Sequence, residues 1–325
     1  MKKISIVIPC FNEQENVEAI SSAVVQVFDH ELQSYDYEII MIDNFSTDRT
    51  RPLLEMICAG NSKIKAIFNR QNFGQFNSPY YGILQSSGDA TILMAADFQD
   101  PVEMIPAFVH AWEEGHYSVV CGVKTTSKES GLMYFLRSFY YKIIQKMSNI
   151  HQIEHFTGFG LYDSSFVKTL RSLKDPTPFL RGIVAEYAPN RKEIPYGQPK
   201  RRAGKTHNNW YSLYDAAMLS FTSYTKIGLR IATISGFLIS GLSFLIALIY
   251  LVMKLIYWDR FIAGTTPMLI GIFFMGGVQL FFIGLIGEYI LNMNTRIINR
   301  PLVIEEKRIN FEAEASENTT EATAR

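Results

Sequence analysis

The chain has little cysteine: Cys10, Cys58 and Cys121 are all there is in 325 residues. They are scattered and form no Cys-x-x-Cys pair. That argues against a disulfide framework or a structural zinc site and suits a reducing compartment. Net charge is also missing. Lys plus Arg and Asp plus Glu come to 31 each, so the balance gives no sign of a nucleic-acid partner, and none is expected. No secretory leader pattern opens the chain. Met1-Lys2-Lys3 runs straight into Ile4-Ser5-Ile6-Val7-Ile8-Pro9, too short an apolar run and without a small-residue cleavage site. It reads as a first strand, which keeps the N-terminal domain in the cytosol. Finally, charge is absent from two long stretches toward the other end, residues 231–253 and 261–287.

At about 1.5 Å per residue, either stretch can cross a hydrocarbon core of roughly 30 Å. The slightly positive mean hydropathy is concentrated there. The connector 254–260 is short, so the two form a hairpin. Lys226 and Arg230 precede the first stretch and Arg296 and Arg300 follow the second, whereas the connector holds only Lys254 and Arg260. That asymmetry places both termini in the cytosol and predicts a multi-pass protein of the cytoplasmic membrane. Residues 131–150 and 209–225 mix aromatic and basic residues at helical spacing, as a helix lying in the membrane interface does. The expected organisation is a cytosolic domain over 1–226, a transmembrane hairpin over 227–292 and a cytosolic tail over 293–325. The end of that tail, 312–325, is Glu-, Thr- and Ala-rich without aromatics and is expected to be disordered.

Residues 1–123 alternate short Val- and Ile-rich runs with helical patterns. The predicted strands are 4–9, 37–43, 63–68, 91–96 and 118–122, and the predicted helices 13–30, 47–59, 74–87 and 101–114. Apolar strands alternating with helices predict a mainly parallel sheet covered on both faces. Ligands of such sheets bind at the carboxyl ends of the strands. The polar residues gather there: Pro9, Asn12 and Glu13 after the first strand, Asp43 and Asn44 after the second, Asp97 and Gln99 after the fourth. Arg70 lies in a loop with Gly74 after the third. Side chains 97 and 99 share a side of an extended backbone. An Asp and a Gln oxygen placed so can hold one hard cation such as Mg or Mn. Such a cation suits a nucleotide-diphosphate leaving group.

Several segments together are specific: Ile8-Pro9-Cys10-Phe11-Asn12-Glu13, Asp43-Asn44-Phe45-Ser46-Thr47-Asp48, Arg70-Gln71-Asn72-Phe73-Gly74 and Ala96-Asp97-Phe98-Gln99-Asp100-Pro101. Later come Arg137-Ser138-Phe139-Tyr140, Phe179-Leu180-Arg181-Gly182 and Arg201-Arg202-Ala203-Gly204-Lys205-Thr206. In order and spacing they resemble the family 2 glycosyltransferases of GT-A fold. More narrowly they resemble the polyprenyl-phosphate glycosyltransferases related to dolichyl-phosphate mannose synthase. The resemblance covers about residues 3–300.

The resemblance implies a Rossmann-like α/β domain with interface helices and a two-helix membrane hairpin. It implies inverting transfer of a sugar, UDP-linked, to a polyprenyl phosphate, for modifying cell-envelope glycans. Pro9, Asn12, Glu13, Asp43 and Arg70 would bind the donor. Asp97 and Gln99 would hold Mg or Mn and the diphosphate. Arg137, Arg202 and Lys205 would meet the acceptor phosphate, the last two from a closing loop. A homo-oligomer, up to a tetramer, is compatible with it. The chain departs from the family at three places. Ala95 stands at the first position of the family's Asp-x-Asp pair, and Asn44 at the second position of its Asp-Asp pair. Gly158-Phe159-Gly160-Leu161 stands at its Asp-Phe-Arg-type segment. A catalytically inactive scaffold or lipid-carrier binding subunit is therefore an alternative. A processive polysaccharide synthase is another, although the Gln-x-x-Arg-Trp motif of such synthases is absent from the sequence.

Overall fold

The computed structural model describes residues 1–126, 153–203, 218–219, 221–223, 227–256 and 265–311. The chain divides into two compact units. One comprises Met1–Ser130, Gln152–His207 and Arg300–Arg325, the other Gly131–His151 and Asn208–Asn299.

The first unit is built on eight strands. They are β1 (Lys3–Cys10), β2 (Asp36–Asp43), β3 (Ile64–Asn69), β4 (Ala90–Leu93), β5 (Val119–Thr126), β6 (Phe156–Asp163), β7 (Arg191–Gly197) and β8 (Glu305–Ile309). They lie in the order β7-β5-β6-β4-β1-β2-β3-β8. The pairs β1–β2, β1–β4, β2–β3 and β5–β7 are parallel. β6 runs antiparallel between β4 and β5, and β8 antiparallel along β3. The sheet is thus mixed, with a parallel centre. Its helices are α1 (Val17–His30), α2 (Thr50–Gly60), α3 (Gly74–Leu84), α4 (Met104–Gly115), α5 (Ser164–Leu173) and α6 (Leu180–Tyr187).

Strand alternation sends Ile4, Ile6 and Ile8 to one face, with Val17, Ile20 and Val24 of α1. Val7 goes to the other face, with Tyr80 and Ile83 of α3 and Val167 and Leu170 of α5. Both faces are dry, which is why the central strands read as unbroken apolar runs.

Two expectations need correcting. No strand is predicted beyond residue 122, yet 153–203 supplies two strands and two helices. β6 hides because Gly158 and Gly160 interrupt its apolar pattern. Gly160 is needed for close approach, since a Cβ there would fall on the Val120 carbonyl of β5. The predicted strand 91–96 ends at Leu93. Beyond it the backbone turns, with Phe98 in the left-handed region at φ 61°, so side chains 97 and 99 do not alternate along an extended strand.

The described part of the second unit is dominated by α7 (Ile227–Ile256) and α8 (Thr265–Ile298). Within α8, Phe274–Ile298 is long and apolar enough to cross a membrane, with mean hydropathy 1.6 and none of its apolar window buried. In α7 the apolar part, Ile231–Ile246, is shorter. Large apolar side chains on both helices are exposed, among them Phe237, Leu238, Phe244, Leu280 and Phe281. Helices thus cover the first uncharged stretch and the described part of the second, from Thr265, and α8 runs eleven residues past the expected end at Gly287, to Ile298. The connector residues 257–264, the predicted interface helix 131–150 and the terminal segment 312–325 lie outside the described residues. Of the second predicted interface helix, 218–219 and 221–223 are described, and they are helical.

Candidate functional site

The polar residues after β1, β2, β3 and β4 converge at one edge of the first unit. The loops after β1 and β2 are laced together. Thr47 N–H donates to Asn12 Oδ1 (2.8 Å), Asn12 N–H to Ser46 Oγ (2.9 Å) and Glu13 N–H to Thr50 Oγ1 (2.9 Å). Asn12 takes the left-handed conformation at φ 56° and Phe45 at φ 70°. Asn tolerates that region and Phe does not, so Phe45 marks strain held by its surroundings. Cys10 closes β1 beneath these loops. Burial, then Asp43, Glu13 and Asp48, push its thiol well above the ordinary range, so it is an inert core group rather than a nucleophile.

Asp43 is fully buried at the end of β2. Ser46 N–H donates to both its oxygens (3.2 and 3.3 Å), and Arg51 of α2 pairs with it at 2.7 Å. Asn44 works as a two-way clamp. Its Oδ1 accepts from Phe73 N–H (2.9 Å) and Asn69 Nδ2 (3.1 Å), while its Nδ2 donates to Asn72 Oδ1 (2.9 Å) and the Gly74 carbonyl (3.2 Å). A carboxylate could accept the first pair but could not donate the second. That explains locally why Asn stands at this position. Arg70 is exposed on the adjoining loop, its N–H donating to the Ile304 carbonyl (3.0 Å).

The turn after β4 is built on two aspartates. Asp97 is nearly buried and accepts from Gln99 N–H (3.0 Å). Its Oδ2 pairs with Arg201 at 2.9 Å, and its carbonyl accepts from Arg202 N–H (3.2 Å). The Arg202 guanidinium lies over the Phe98 ring, 5.2 Å from its centre. Asp100 braces the turn from below: Oδ2 accepts from Ala95 N–H (3.0 Å) and Oδ1 from the Tyr196 hydroxyl (3.0 Å). Burial raises the Asp100 carboxyl above its ordinary range, and the Ala95 N–H works against that rise.

Beside this turn lies a cavity of about 200 Å³, lined by Pro9, Phe76, Ala95, Asp100, Thr157, Gly158, Phe179 and Arg181 among others. Gly158 sits there at φ +105°, a backbone few side chains adopt. The Arg181 guanidinium lies over Phe179. The wall mixes apolar and aromatic side chains with polar groups from Gln75, Asp100, Thr157 and Arg181.

Of the sequence-predicted residues, Pro9 lines this cavity and Asp97 sits on the turn beside it. Asn12, Glu13 and Asp43 form the neighbouring cluster. Arg202 is on the basic segment against the Asp97 turn. Arg137 and Lys205 lie outside the described residues. Sequence reasoning missed Arg51, Asp100, Gly158, Arg181 and Arg201 as shaping groups. Asp100 was visible as the second acid of Asp97-x-x-Asp100. Gly158, Arg181 and Arg201 stood in segments compared with the family but without a role, and Arg51 stood in none.

Among the described residues, no three His, Cys, Asp or Glu side chains form a cluster able to hold a metal. The donor set on the turn is one carboxylate and one amide. A carboxylate has about four lone-pair sites, so Asp97 keeps accepting capacity beside Arg201 and Gln99 N–H. Asp97 could therefore give one oxygen to a hard divalent cation whose remaining ligands come mostly from a bound diphosphate, while the turn at Phe98 removes the extended-strand reason for Gln99 to share it.

A sheet with a parallel centre, covered by helices on both faces and carrying polar loops at its strand ends, defines the class as an α/β protein. The sequence narrows it. Residues 5–171 match the model for glycosyl transferase family 2, and the chain belongs to that family. It is 29% identical over 305 residues to the SfII prophage-derived bactoprenol glucosyl transferase of Shigella flexneri, covering 94% of this chain and 98% of that protein. It is 30% identical over 302 residues to an uncharacterized glycosyltransferase of Synechocystis, covering 93% and 94%. Among solved structures it resembles glucosyl-3-phosphoglycerate synthase from Mycobacterium tuberculosis at 16% identity and a TM-score of 0.48, covering 68% of this chain and 78% of that one.

Proposed function

We propose that the protein transfers a hexose from a nucleotide sugar, UDP-linked, to the phosphate of a polyprenyl carrier at the membrane. The observation that carries this reading is the basic segment Arg201–Arg202 seated on the Asp97 turn, beside the cavity at the strand ends. One end of that arrangement suits a diphosphate and the other a sugar ring. The lipid acceptor is supported by full-length similarity to a bactoprenol glucosyl transferase and by the apolar helix Phe274–Ile298.

In this reading the loops around Asn12, Glu13, Asp43 and Arg70 take the nucleoside, and Asp97 and Gln99 hold Mg or Mn with the diphosphate. The cation, when bound, would offset charge on the departing diphosphate. Arg201 and Arg202 add positive charge at the same place. Arg137 and Lys205, by family resemblance, meet the acceptor phosphate. An acceptor phosphate oxygen attacks the anomeric carbon, the bond from that carbon to the diphosphate oxygen breaks, and configuration inverts. A phosphate monoester, with a second pKa of about 6 by analogy with phosphorylated side chains, is already largely ionised at neutral pH. It needs little general-base help, so alignment and charge stabilisation carry the rate. The chain would cross the membrane twice, α7 and α8 forming the hairpin, with both termini cytosolic.

The test is an assay of purified full-length protein in detergent with polyprenyl phosphate and Mg or Mn. Labelled nucleotide sugars are offered, UDP-glucose first, and label is counted in the organic extract. Label from one donor, lost in Asp97→Ala, is the expected result. No label from any donor with lipid binding intact would move the assignment to a lipid-carrier binding subunit.

A further inference from the structure

Arg51 joins the ends of two neighbouring strands to a third segment 255 residues away. Its Nε pairs with buried Asp43 at 2.7 Å, its Nη2 donates to the Asn69 carbonyl at 2.6 Å, and its Nη1 pairs with Glu306 at 2.9 Å. The guanidinium also lies over Phe45 and Phe68, 5.4 and 5.6 Å from the ring centres. Asp43 and Asn69 are the last residues of β2 and β3. Glu306 belongs to β8, the strand that follows the apolar helix α8 in the chain. β8 is tied into the unit on both sides of Glu306. Tyr81 donates to Glu305 (2.8 Å), and Asn310 Nδ2 donates to the carbonyls of Cys58 and Ile64 (2.7 Å each). The carbonyl of Ile304, just before β8, accepts from Arg70 N–H.

We infer that β8 is a positioning element of the donor site, with Glu306 and Arg51 acting as positioning residues for Asp43. This rests on the reading of the β1–β3 loops as the nucleotide site. Arg51 is the only cation paired with the Asp43 carboxylate among the described ion pairs. A guanidinium is a planar fork with five fixed donors, so holding its far edge fixes the edge that meets Asp43. Glu306 holds the far edge. Without it the fork keeps only the Asn69 carbonyl and the two rings besides Asp43, and Asp43 and the strained Phe45 loop are held less firmly. Lysine carries its three donors on a single nitrogen and lacks the planar fork that spans acceptors set apart as these are.

An alternative role for β8 is simply to cover the edge of β3. Glu305 and Glu306 separate the two. Both sit on β8, but Glu305 reaches Tyr81 and Arg308, while Glu306 reaches Arg51. The experiment is calorimetric titration of UDP, with Mg, into full-length protein in detergent, for wild type, Glu306→Gln, Glu306→Asp and Glu305→Gln, with melting temperatures measured alongside. Expected is a three- to tenfold weaker UDP affinity in Glu306→Gln, part of it recovered in Glu306→Asp, and none of it seen in Glu305→Gln. In turnover the same variant raises the donor KM by a similar factor and leaves kcat in place. Wild type binding UDP while Glu306→Gln binds equally well, or while Glu305→Gln weakens it as much, overturns the role of β8 and leaves the nucleotide site standing. Wild type binding neither UDP nor any other nucleoside diphosphate overturns the site and this inference with it.

Discussion

Asn12, Phe45 and Phe98 share a left-handed backbone, at φ 56°, 70° and 61°, and each lies just past the end of a parallel strand. Strain of this kind persists only where neighbours over-determine it. For Asn12 the neighbour is Thr47, whose N–H needs the Asn12 side chain. Asn12→Ala should cost about 1–3 kcal/mol, from an unmade hydrogen bond plus a residue less suited to that backbone. Chemical denaturation reads the loss. Asn44→Asp should lower stability by a similar amount, roughly 1–3 kcal/mol, because the Gly74 carbonyl and Asn72 Oδ1 lose a donor. If instead it melts with wild type, the clamp role of Asn44 is wrong. At the opposite end of the strands, Glu38 is buried and pairs with Lys65 (2.7 Å) and Lys3 (3.1 Å). Burial acts to raise its carboxyl, but hydrogen bonds from Lys65, Ser5 and Ser87 N–H outweigh it and hold the pKa at about 2. A carboxyl depressed on folding contributes stability above its unfolded value, 4.5, and that contribution fades as pH falls toward 2. The contribution is about 3 kcal/mol at neutral pH. Glu38→Gln should therefore flatten the acid limb of a stability-versus-pH curve between those values.

Individual elements carry their own constraints. The Asp97 turn depends on Asp100 and on Tyr196 of β7, so β7 supports a site to which it gives no ligand. The close packing of β6 on β5 depends on Gly160, where any Cβ meets the Val120 carbonyl. Backbone cannot yield as a flexible side chain can. Gly160→Ala should cost roughly 1–3 kcal/mol, with its largest effect on hydrogen-exchange protection of β5 and β6. Protection unchanged there would show that the sheet absorbs the methyl. The strands β1, β2 and β3 and the helices between them were legible, because apolar runs bounded by turn residues recur with regular spacing. β6, β7 and β8 were not. β6 is interrupted by two glycines, β7 holds four exposed residues of seven (burial alternating only weakly), and β8 is Glu-Glu-Lys-Arg-Ile, charged throughout until its end. A charged edge strand reads as a solvated tail, since nothing in its own composition asks for pairing.

For the whole molecule, the exposed apolar side chains of α7 and α8 are the feature that needs a partner. A contiguous apolar face of this size does not stay in water, and lipid is the partner the proposed acceptor supplies. The protein should remain in the membrane pellet after alkaline carbonate washing and leave it only with detergent; release by carbonate alone would contradict a spanning hairpin. The sequence alone determined the family, the parallel centre of the sheet, the strand-end location of Asp43 and Asp97, and the two apolar segments. All of these follow from local periodicity, or from short motifs whose spacing is kept along the chain. Tertiary structure alone decided that residues 305–309 complete the sheet, that Arg51 joins Asp43 to Glu306, that Arg201 pairs with Asp97, and that a cavity opens beside Ala95. Apart from Arg51–Asp43, which are eight positions apart, those pairings join residues a hundred or more positions apart, and only closure of the fold brings their charges within 3 Å.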